Sequence, residues 1–367
     1  MAVQEPEPRP PIGVAIDADL STRADALLAL AGLNGLTAKG ETRRIALSVS
    51  RPSLTAARLA DVVAEYYPTL PVGAGFLTIG MQDGAVPRDD APALARVLAT
   101  KTPDGAATFE TRVQRVLDTA DSATLQRNLL LAQHDGNAIL LAAGPLTGLA
   151  RLLALYGARA QIEAKVKLLV VAAGAYPAGD ADAAIARDVV AARQVFAEWP
   201  TPIVAVGSEV GQGVRYPVAK LGEGTASSTN PIAAACRVLA GTAPDLSTTA
   251  LAGVLHAIRP ESGEFALSAP GTISVLDDGR TRFVPGAAGR QRYLMLNPAK
   301  RADLLATYVS LVSAEPAARP TRKLPSMVDA GLPPKPGDTA KPAGAAKPGD
   351  AAKPGAAPKP GASGGKP

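Results

Sequence analysis

Cysteine, histidine and long apolar runs are scarce in this sequence of 367 residues. It contains one cysteine, Cys236, and two histidines, His134 and His256. A single cysteine excludes a disulfide framework and a zinc site built on cysteine ligands. Because Cys236 lies in the run Ala-Ala-Ala-Cys-Arg-Val-Leu, which is typical of a helix, we predict a small buried hydrophobic residue rather than a nucleophile.

Signals for membrane insertion or export are also missing. No apolar run is long enough to span a membrane, so we predict no transmembrane segment. The first eleven residues are acidic and proline-rich and lack the basic and apolar parts of a signal peptide. A cytoplasmic protein is the default prediction. A start of this kind is also what remains after a signal peptide is removed, so a secreted or periplasmic location stays open.

The excess of basic residues belongs to the end of the chain. The formal charge is +5, but residues 332–367 hold six lysines and two aspartates, which leaves +1 for the rest. A nucleic-acid surface on the folded part is therefore not supported. Residues 315–367 are rich in Pro, Ala, Gly and Lys, and we predict a disordered tail. The tail could contact anionic surfaces or act as a solubilising spacer.

The remaining sequence predicts an α/β fold. Strand-like apolar runs alternate with helix-like runs, which is typical of an open, mainly parallel sheet flanked by helices. Residues 271–284 carry two period-2 runs around an Asp-Gly turn and predict a late β-hairpin at the edge or flank of the sheet. We therefore expect a proline-rich segment over residues 1–11, one domain over residues 12–314 and the tail.

Three carboxylates follow the first predicted strand. Asp17 and Asp19 are two positions apart and therefore leave the strand on one side, and Asp25 lies in the first turn of the next helix. Open α/β sheets bind ligands at the carboxyl ends of their strands. Carboxylates gathered there need a cation, sugar hydroxyls or protons to offset their repulsion. Taken singly, each acid is an ordinary structural residue, but the pair Asp17 and Asp19 favours a functional origin.

Four segments occur in a fixed order that resembles the inosine-uridine preferring nucleoside hydrolase family. They are Asp17-Ala-Asp19 and residues 139–150, 165–177 and 195–211. Residues 254–260 and 277–283 are similar to the end of that family's domain. The resemblance covers about residues 12–300 and is specific in the combination of segments.

The resemblance implies a calcium ion at the strand ends that binds the ribose diol and a water molecule, for hydrolysis of the N-glycosidic bond. The implied metal ligands are Asp19, the backbone carbonyl of Ala143 and, if calcium is retained, Asp25. Asp19 would also be the catalytic base. The implied partner is a nucleoside or another ribosyl small molecule, and a homo-oligomer is expected from the family.

The sequence departs from the family in its second acidic pair. Only one acid of Asp-Asp is present: either Asp25 is the ribose-binding residue and the calcium ligand has become Ala26, or Asp25 keeps the ligand and the ribose contact is lost. Arg23 lies close by, and its guanidinium could supply the positive charge that calcium normally brings. We therefore predict Asp17, Asp25, Asp182 and Arg23 as substrate-binding residues.

Four further positions of the family's site are changed. Its sugar-binding Glu and Asn align with Asp182 and Ala184, and the Asn after Pro-Leu-Thr is Gly148. The last metal aspartate aligns with Ala250. Asp245 lies five positions earlier and is a weak candidate to replace it. With one certain calcium carboxylate where the family uses three, calcium binding should be weak or absent.

Three hypotheses of function remain. The first is a non-catalytic member of the family that binds ribose or a nucleoside. The second is an active nucleoside N-ribohydrolase with a rearranged site, in which Arg23 or Asp245 compensates. The third is a structural protein with a filled crevice. Neither histidine replaces the metal, because His256 is predicted to be a packing residue and His134 lies in a turn.

Overall fold

The computed structural model describes residues 10–68, 78–81, 91–222 and 229–316. The predicted tail lies almost wholly outside the described residues, as do residues 1–9 of the predicted N-terminal segment. The carbonyl of Pro10 accepts a hydrogen bond from Asn137 at 3.1 Å, and that of Pro11 accepts one from Arg43 at 2.8 Å. In these ranges no helix is both long enough and apolar enough to cross a bilayer.

The described residues form thirteen strands and twelve α-helices. The strands are β1 Gly13–Ala18, β2 Arg43–Val49, β3 Ile79–Met81, β4 Ala120–Asp121, β5 Ala138–Ala143, β6 Val166–Val171, β7 Ile203–Ala205, β8 Tyr216–Pro217, β9 Asp245–Leu246, β10 Phe265–Leu267, β11 Gly271–Val275, β12 Thr281–Pro285 and β13 Gln291–Leu296. The helices are α1 Ala24–Ala38, α2 Leu54–Tyr66, α3 Pro92–Leu98, α4 Ser122–Leu131, α5 Thr147–Ala154, α6 Ala158–Lys165, α7 Ala183–Arg187, α8 Val189–Glu198, α9 Ser208–Gly213, α10 Pro231–Ala240, α11 Thr249–Ile258 and α12 Arg301–Val312.

Eleven of these strands form one sheet, which confirms the predicted architecture. Its order is β12-β11-β13-β7-β6-β5-β1-β2-β3-β4, with β10 paired to β13, and β8 and β9 form a separate antiparallel pair. The pairs from β4 through β1 to β7, and β7 with β13, are parallel. The predicted hairpin is β11 and β12 at one edge, and Gly279 in its Asp-Gly turn has φ +84°.

Alternating side chains of the central strands build a core on each face of the sheet. In β1, Val14 and Ile16 pack into the core formed with helices such as α1 and α11, and Ala15 packs into the core formed with α5 and α8. Strand β5 alternates in the same way, with Leu141 on the first face and Leu140 on the second. This period of two in strands buried on both faces explains their continuous apolar sequences.

The order of strands across the sheet changes side between β1 and β5. Strands β2 to β4 follow on one side of β1, whereas β5 to β7 follow on the other. Adjacent connections that diverge in this way leave a crevice at the carboxyl ends of the two strands.

The cysteine and the histidines lie in α10, in α11 and in the turn before β5. Cys236 is fully buried in α10, and its burial raises the pKa of the thiol. His256 is buried in α11 with its ring edge-to-face on Phe265, and burial lowers the pKa of the imidazole. His134 is exposed in the turn before β5. These positions agree with the structural roles predicted for all three residues.

Candidate functional site

The acids after β1 lie at the crevice between β1 and β5. The backbone N–H of Asp19 donates to the carbonyl of Ala143 at 3.1 Å, which joins the ends of the two strands. The carbonyl of Ala18 accepts a hydrogen bond from the N–H of Ser50 after β2, also at 3.1 Å. The loop between β1 and α1 is therefore held over three neighbouring strand ends.

The carboxylate of Asp19 is occupied by donors from its own loop. Its Oδ1 accepts hydrogen bonds from the Ser21 N–H at 3.0 Å, the Ser21 hydroxyl at 2.6 Å and the Thr22 N–H at 3.2 Å. Its Oδ2 accepts one from the Thr22 hydroxyl at 2.6 Å. Three of the four donors therefore share Oδ1, and Oδ2, with one donor, keeps a lone-pair position for another group.

Arg23 crosses the crevice and pairs with Asp25. Its Nε donates to Asp25 Oδ1 at 3.0 Å and its Nη2 to Oδ2 at 2.6 Å, which is a bidentate ion pair. Its Nη1 donates to the carbonyl of Ala172, directly after β6, at 3.1 Å. The guanidinium therefore spans from the β1 loop to the end of β6 and uses three of its five N–H groups.

The surroundings of Arg23 in the crevice favour the charged form of its guanidinium. Burial lowers the pKa of the guanidinium, but the nearby carboxylates of Asp25, Asp182 and Asp19 outweigh that effect and raise the pKa above its ordinary value. The side chain of Arg23 is 20% exposed and that of Asp25 is 9% exposed. A charged pair this far removed from solvent is stable only because both partners are present.

Asp17 lies deeper than the other acids, on the face of the sheet covered by α4 and α5. Its Oδ1 accepts a hydrogen bond from the Ser48 hydroxyl at 2.5 Å, and Ser48 Oγ in turn accepts one from Gln126 Nε2 at 3.0 Å. Its Oδ2 has no hydrogen-bond partner in the described part of the chain. Burial, partly offset by the bond from Ser48, raises the pKa of Asp17 to about 6.

Gly148 leaves room for this carboxylate. A Cβ at position 148 would lie 3.1 Å from Asp17 Oδ2 and 3.5 Å from the hydroxyl of Ser122. A larger residue, such as the asparagine that the resemblance places here, would press on Asp17 or would have to bond to it. The buried Ser122 hydroxyl also has no partner in the described ranges.

Asp182 has a local structural role as well as a place at the crevice. Its Oδ1 accepts hydrogen bonds from the N–H groups of Ala184 at 2.8 Å and Ile185 at 3.3 Å, so it caps α7. Ala184, where the resemblance places a sugar-binding Asn, is buried. Asp182 therefore keeps Oδ2 as its acceptor for other groups.

The positions expected to carry the missing metal ligands are buried alanines. Ala26 in α1 and Ala250 in α11 are both fully buried. Asp245 lies in β9, where its backbone carbonyl accepts a hydrogen bond from Arg215. Over the described residues, no group of three or more His, Cys, Asp and Glu side chains could hold a metal ion.

Two cavities lie beside Arg23 and share it as a lining residue. The larger, of about 400 Å³, contains Asp19 and three arginines, Arg23, Arg51 and Arg187. The smaller, of about 230 Å³, contains acids and hydroxyls, namely Asp25, Asp182, Ser208, Ser247 and Thr249. The structure thus brings Arg23, Asp19, Asp25 and Asp182 to one crevice, together with Arg51 and Arg187, which the sequence analysis did not identify.

Neither protein-family models nor curated proteins give a match to this sequence, but solved structures do. A plant nucleoside hydrolase is 18% identical with a TM-score of 0.60, over 82% of this chain and 99% of that chain. An inosine-uridine preferring nucleoside hydrolase from Bacillus anthracis is 16% identical with a TM-score of 0.55, over 82% and 99%. The chain therefore has the nucleoside hydrolase fold, as the sequence resemblance implied.

Another similar structure is a type III effector protein in complex with adenosine diphosphate ribose. It is 16% identical with a TM-score of 0.54, over 83% of this chain and 94% of that chain. The fold thus occurs in structures described as hydrolases and in two described as effector proteins. The fold alone does not determine the activity of this chain.

Proposed function

We propose that this protein binds a ribosyl small molecule in the crevice between β1 and β5 and does not hydrolyse nucleosides by the calcium-dependent route. The observation that carries the proposal is the bidentate pair of Arg23 with Asp25, extended to the carbonyl of Ala172. This pair puts a permanent protein cation where the family resemblance implies a metal cation. Arg23 thereby removes the electrostatic need for a bound ion.

The residues present do not fit a calcium ion. Calcium takes six to eight oxygen ligands, and its affinity rises with the number of carboxylates. Asp19 is held by four hydrogen bonds from its loop, Asp25 is paired with Arg23, and positions 26 and 250 are alanines. The carbonyl of Ala143 already accepts one hydrogen bond. Without a metal, the attacking water lacks the activation that the family mechanism requires.

The same groups are suited to hydrogen-bond a sugar. Asp182 Oδ2 and the hydroxyls of Ser208, Ser247 and Thr249 supply acceptors and donors in the smaller cavity. Arg23 keeps two N–H groups beyond the three it uses. Several similar structures are described as nucleoside hydrolases, and one contains adenosine diphosphate ribose, so a ribose is common to their named ligands.

The alternative is an active nucleoside N-ribohydrolase with a rearranged site. Asp17 favours it, because a buried carboxyl with a pKa of about 6 and an unpartnered oxygen could move a proton near neutral pH. The structural alternative, a crevice without a ligand, is disfavoured by the two cavities beside Arg23.

The test combines turnover with binding on the full chain. We expect no base release from inosine, uridine or p-nitrophenyl riboside above the buffer rate, and a rise in melting temperature with ribose or adenosine. Asp182→Asn can still cap α7 but should reduce that rise by weakening the contact to sugar hydroxyls. Asp121→Asn, at the N-cap of α4, is the matched control and should leave the rise unchanged.

Two results would contradict the proposal. Base release that Asp17→Asn or Asp19→Asn abolishes would support the rearranged hydrolase instead. A melting temperature that does not respond to ribose, adenosine or inosine at millimolar concentrations would support the structural protein.

A further inference from the structure

A third cavity lies beside the carboxyl-terminal half of β13 and the loops that follow β6 and β7. Its volume is about 150 Å³, which is roughly ten times the space that one water molecule requires. Apolar side chains form most of its lining, and Glu209 is the only charged residue that lines it among the described residues. It shares no lining residue with the two cavities beside Arg23.

Aromatic contacts fix one wall of this cavity. The rings of Tyr176 and Tyr293 are stacked, with 5.7 Å between their centroids and 14° between their planes. Phe283 contacts Tyr293 edge-to-face at a centroid distance of 5.0 Å. The Tyr176 hydroxyl donates to the carbonyl of Ala173 at 3.2 Å. The protein itself therefore holds both rings in place, and they offer a large apolar surface to a ligand.

The carboxylate of Glu209 lies over the loop that follows β7. Its Oε2 accepts a hydrogen bond from the backbone N–H of Tyr176 at 3.3 Å. Gly207 leaves room for this position, because a Cβ there would overlap both carboxylate oxygens. In the part of the chain that the structure describes, no arginine, lysine or histidine forms an ion pair with Glu209.

The electrostatics of the cavity favour a cation. Partial burial raises the pKa of Glu209, and hydrogen bonds from backbone N–H groups only partly offset this effect. Burial raises the pKa of the Tyr176 hydroxyl, and the charges of Asp182 and Glu209 act on it in the same direction. A cation beside Glu209 would favour its ionised form.

We infer that this cavity binds a small organic cation, an alkylated ammonium group, with its charge beside Glu209 and its alkyl groups against Tyr176, Tyr293 and Met295. Aromatic rings are the groups with which proteins commonly recognise such cations. A neutral ligand would leave Glu209 without an ion partner, and an inorganic cation would gain nothing from the apolar walls. The inference does not depend on the proposed ribosyl function.

The experiment is a calorimetric titration of the full chain, at constant ionic strength, with tetramethylammonium chloride and with tert-butanol. The two probes are similar in size and branching, but only the first carries a charge. We expect tetramethylammonium to bind at one site per chain and at least about tenfold more tightly than tert-butanol.

Glu209→Gln tests the role of the charge. A glutamine keeps an oxygen that can accept the N–H of Tyr176, so this variant is expected to fold. It should weaken tetramethylammonium binding at least about tenfold and leave the affinity for tert-butanol unchanged. Glu163→Gln is the matched control, because it removes the same charge from an exposed position of α6. It should change neither affinity.

Met295→Lys tests the location of the site. Met295 lines the cavity and is 38% exposed, so this variant is expected to fold. The lysine would bring an ammonium group of the protein to the cavity and should abolish tetramethylammonium binding. Met295→Leu keeps an apolar side chain and should retain it.

Three results would overturn the inference. Equal affinities for the two probes would mean that the cavity does not select charge. Equal losses with Glu209→Gln and Glu163→Gln would mean that tetramethylammonium responds to the overall charge of the protein. The third result is no detectable binding of tetramethylammonium at millimolar concentrations. None of them affects the proposed function, because the titration contains no ribosyl compound.

Discussion

The acids at the mouth of the crevice, Asp19 and Asp25, and the acid at its floor, Asp17, differ in how they are hydrogen-bonded. At the mouth, Asp19 is held by four hydrogen bonds from its loop and Asp25 by a bidentate arginine. At the floor, Asp17 has one bonded oxygen and one without a partner in the described residues, and the pKa of its carboxyl is about 6. The acids of the mouth thus have hydrogen-bond or ion-pair partners from the protein, while the floor carries a buried acid whose raised pKa reflects a cost of ionisation.

The largest expected effect on stability comes from removing the ion pair between Arg23 and Asp25 at the mouth. Asp25→Ala leaves the Arg23 guanidinium 20% exposed and without its ion partner, so we expect the free energy of unfolding to fall by about 3 kcal/mol. Urea unfolding followed by circular dichroism measures this loss. The double variant Arg23→Met with Asp25→Leu should recover part of it, because neither charge of the pair remains, although Asp19 and Asp182 lose the nearby guanidinium. A loss below about 1 kcal/mol for Asp25→Ala would show that the ion pair of Arg23 and Asp25 contributes little to stability.

At the floor, removal of the charge of Asp17 should stabilise the protein. Asp17 binds a proton more tightly in the folded state, with a pKa of about 6 against 3.8 for the free side chain. The folded protein therefore binds the extra proton between these pH values, and the contribution of Asp17 to stability falls as the pH rises through them. We expect Asp17→Asn to raise the free energy of unfolding at pH 7.5, by an amount on the order of 3 kcal/mol.

The pH profile is the control for this variant. The difference between Asp17→Asn and the parent should shrink as the pH falls through 6 and should vanish near pH 4, where the folded parent is protonated at Asp17. Denaturant titrations at a series of pH values measure it. Destabilisation by Asp17→Asn at pH 7.5 would mean that the carboxylate has a stabilising partner, and the contrast between floor and mouth would fail.

The smallest expected effect is at the loop that holds Asp19. Ser21→Ala removes a hydroxyl that donates to Oδ1 at 2.6 Å, which should cost about 1 to 2 kcal/mol because the acceptor is charged. Thr22→Ser keeps its hydroxyl and serves as the control with little loss. Thermal unfolding of both variants gives the comparison. Equal stability of Ser21→Ala and the parent would indicate that Asp19 is not fixed by its loop.

Much of the fold was predictable because it depends on local patterns. The alternation of apolar runs gave the central parallel sheet, and the Asp-Gly turn gave the hairpin β11 and β12. The position of Asp19 at a strand end was predictable in the same way. Its hydrogen bonds from Ser21 and Thr22 also had a local signal, because Asp side chains commonly bond to groups two or three residues further on.

The remainder of the site depends on contacts distant in sequence. The proximity of Arg23 to the acids was predicted, but its bond to Ala172 joins residues 149 positions apart and needs the strand order of the folded sheet. Arg51 and Arg187 lie in a loop and a short helix with no motif around them. Arginines are frequent in any sequence, so only the cavity that these two share distinguishes them.

The central claim is that the charge of Arg23 takes the place of a calcium ion. A calorimetric titration of the full chain with Ca²⁺, alone and with adenosine present, tests it most directly. The arrangement of Asp19, Arg23 and Asp25 predicts no stoichiometric binding, with any dissociation constant above about 1 mM. One calcium ion bound per chain with a micromolar dissociation constant would contradict the claim.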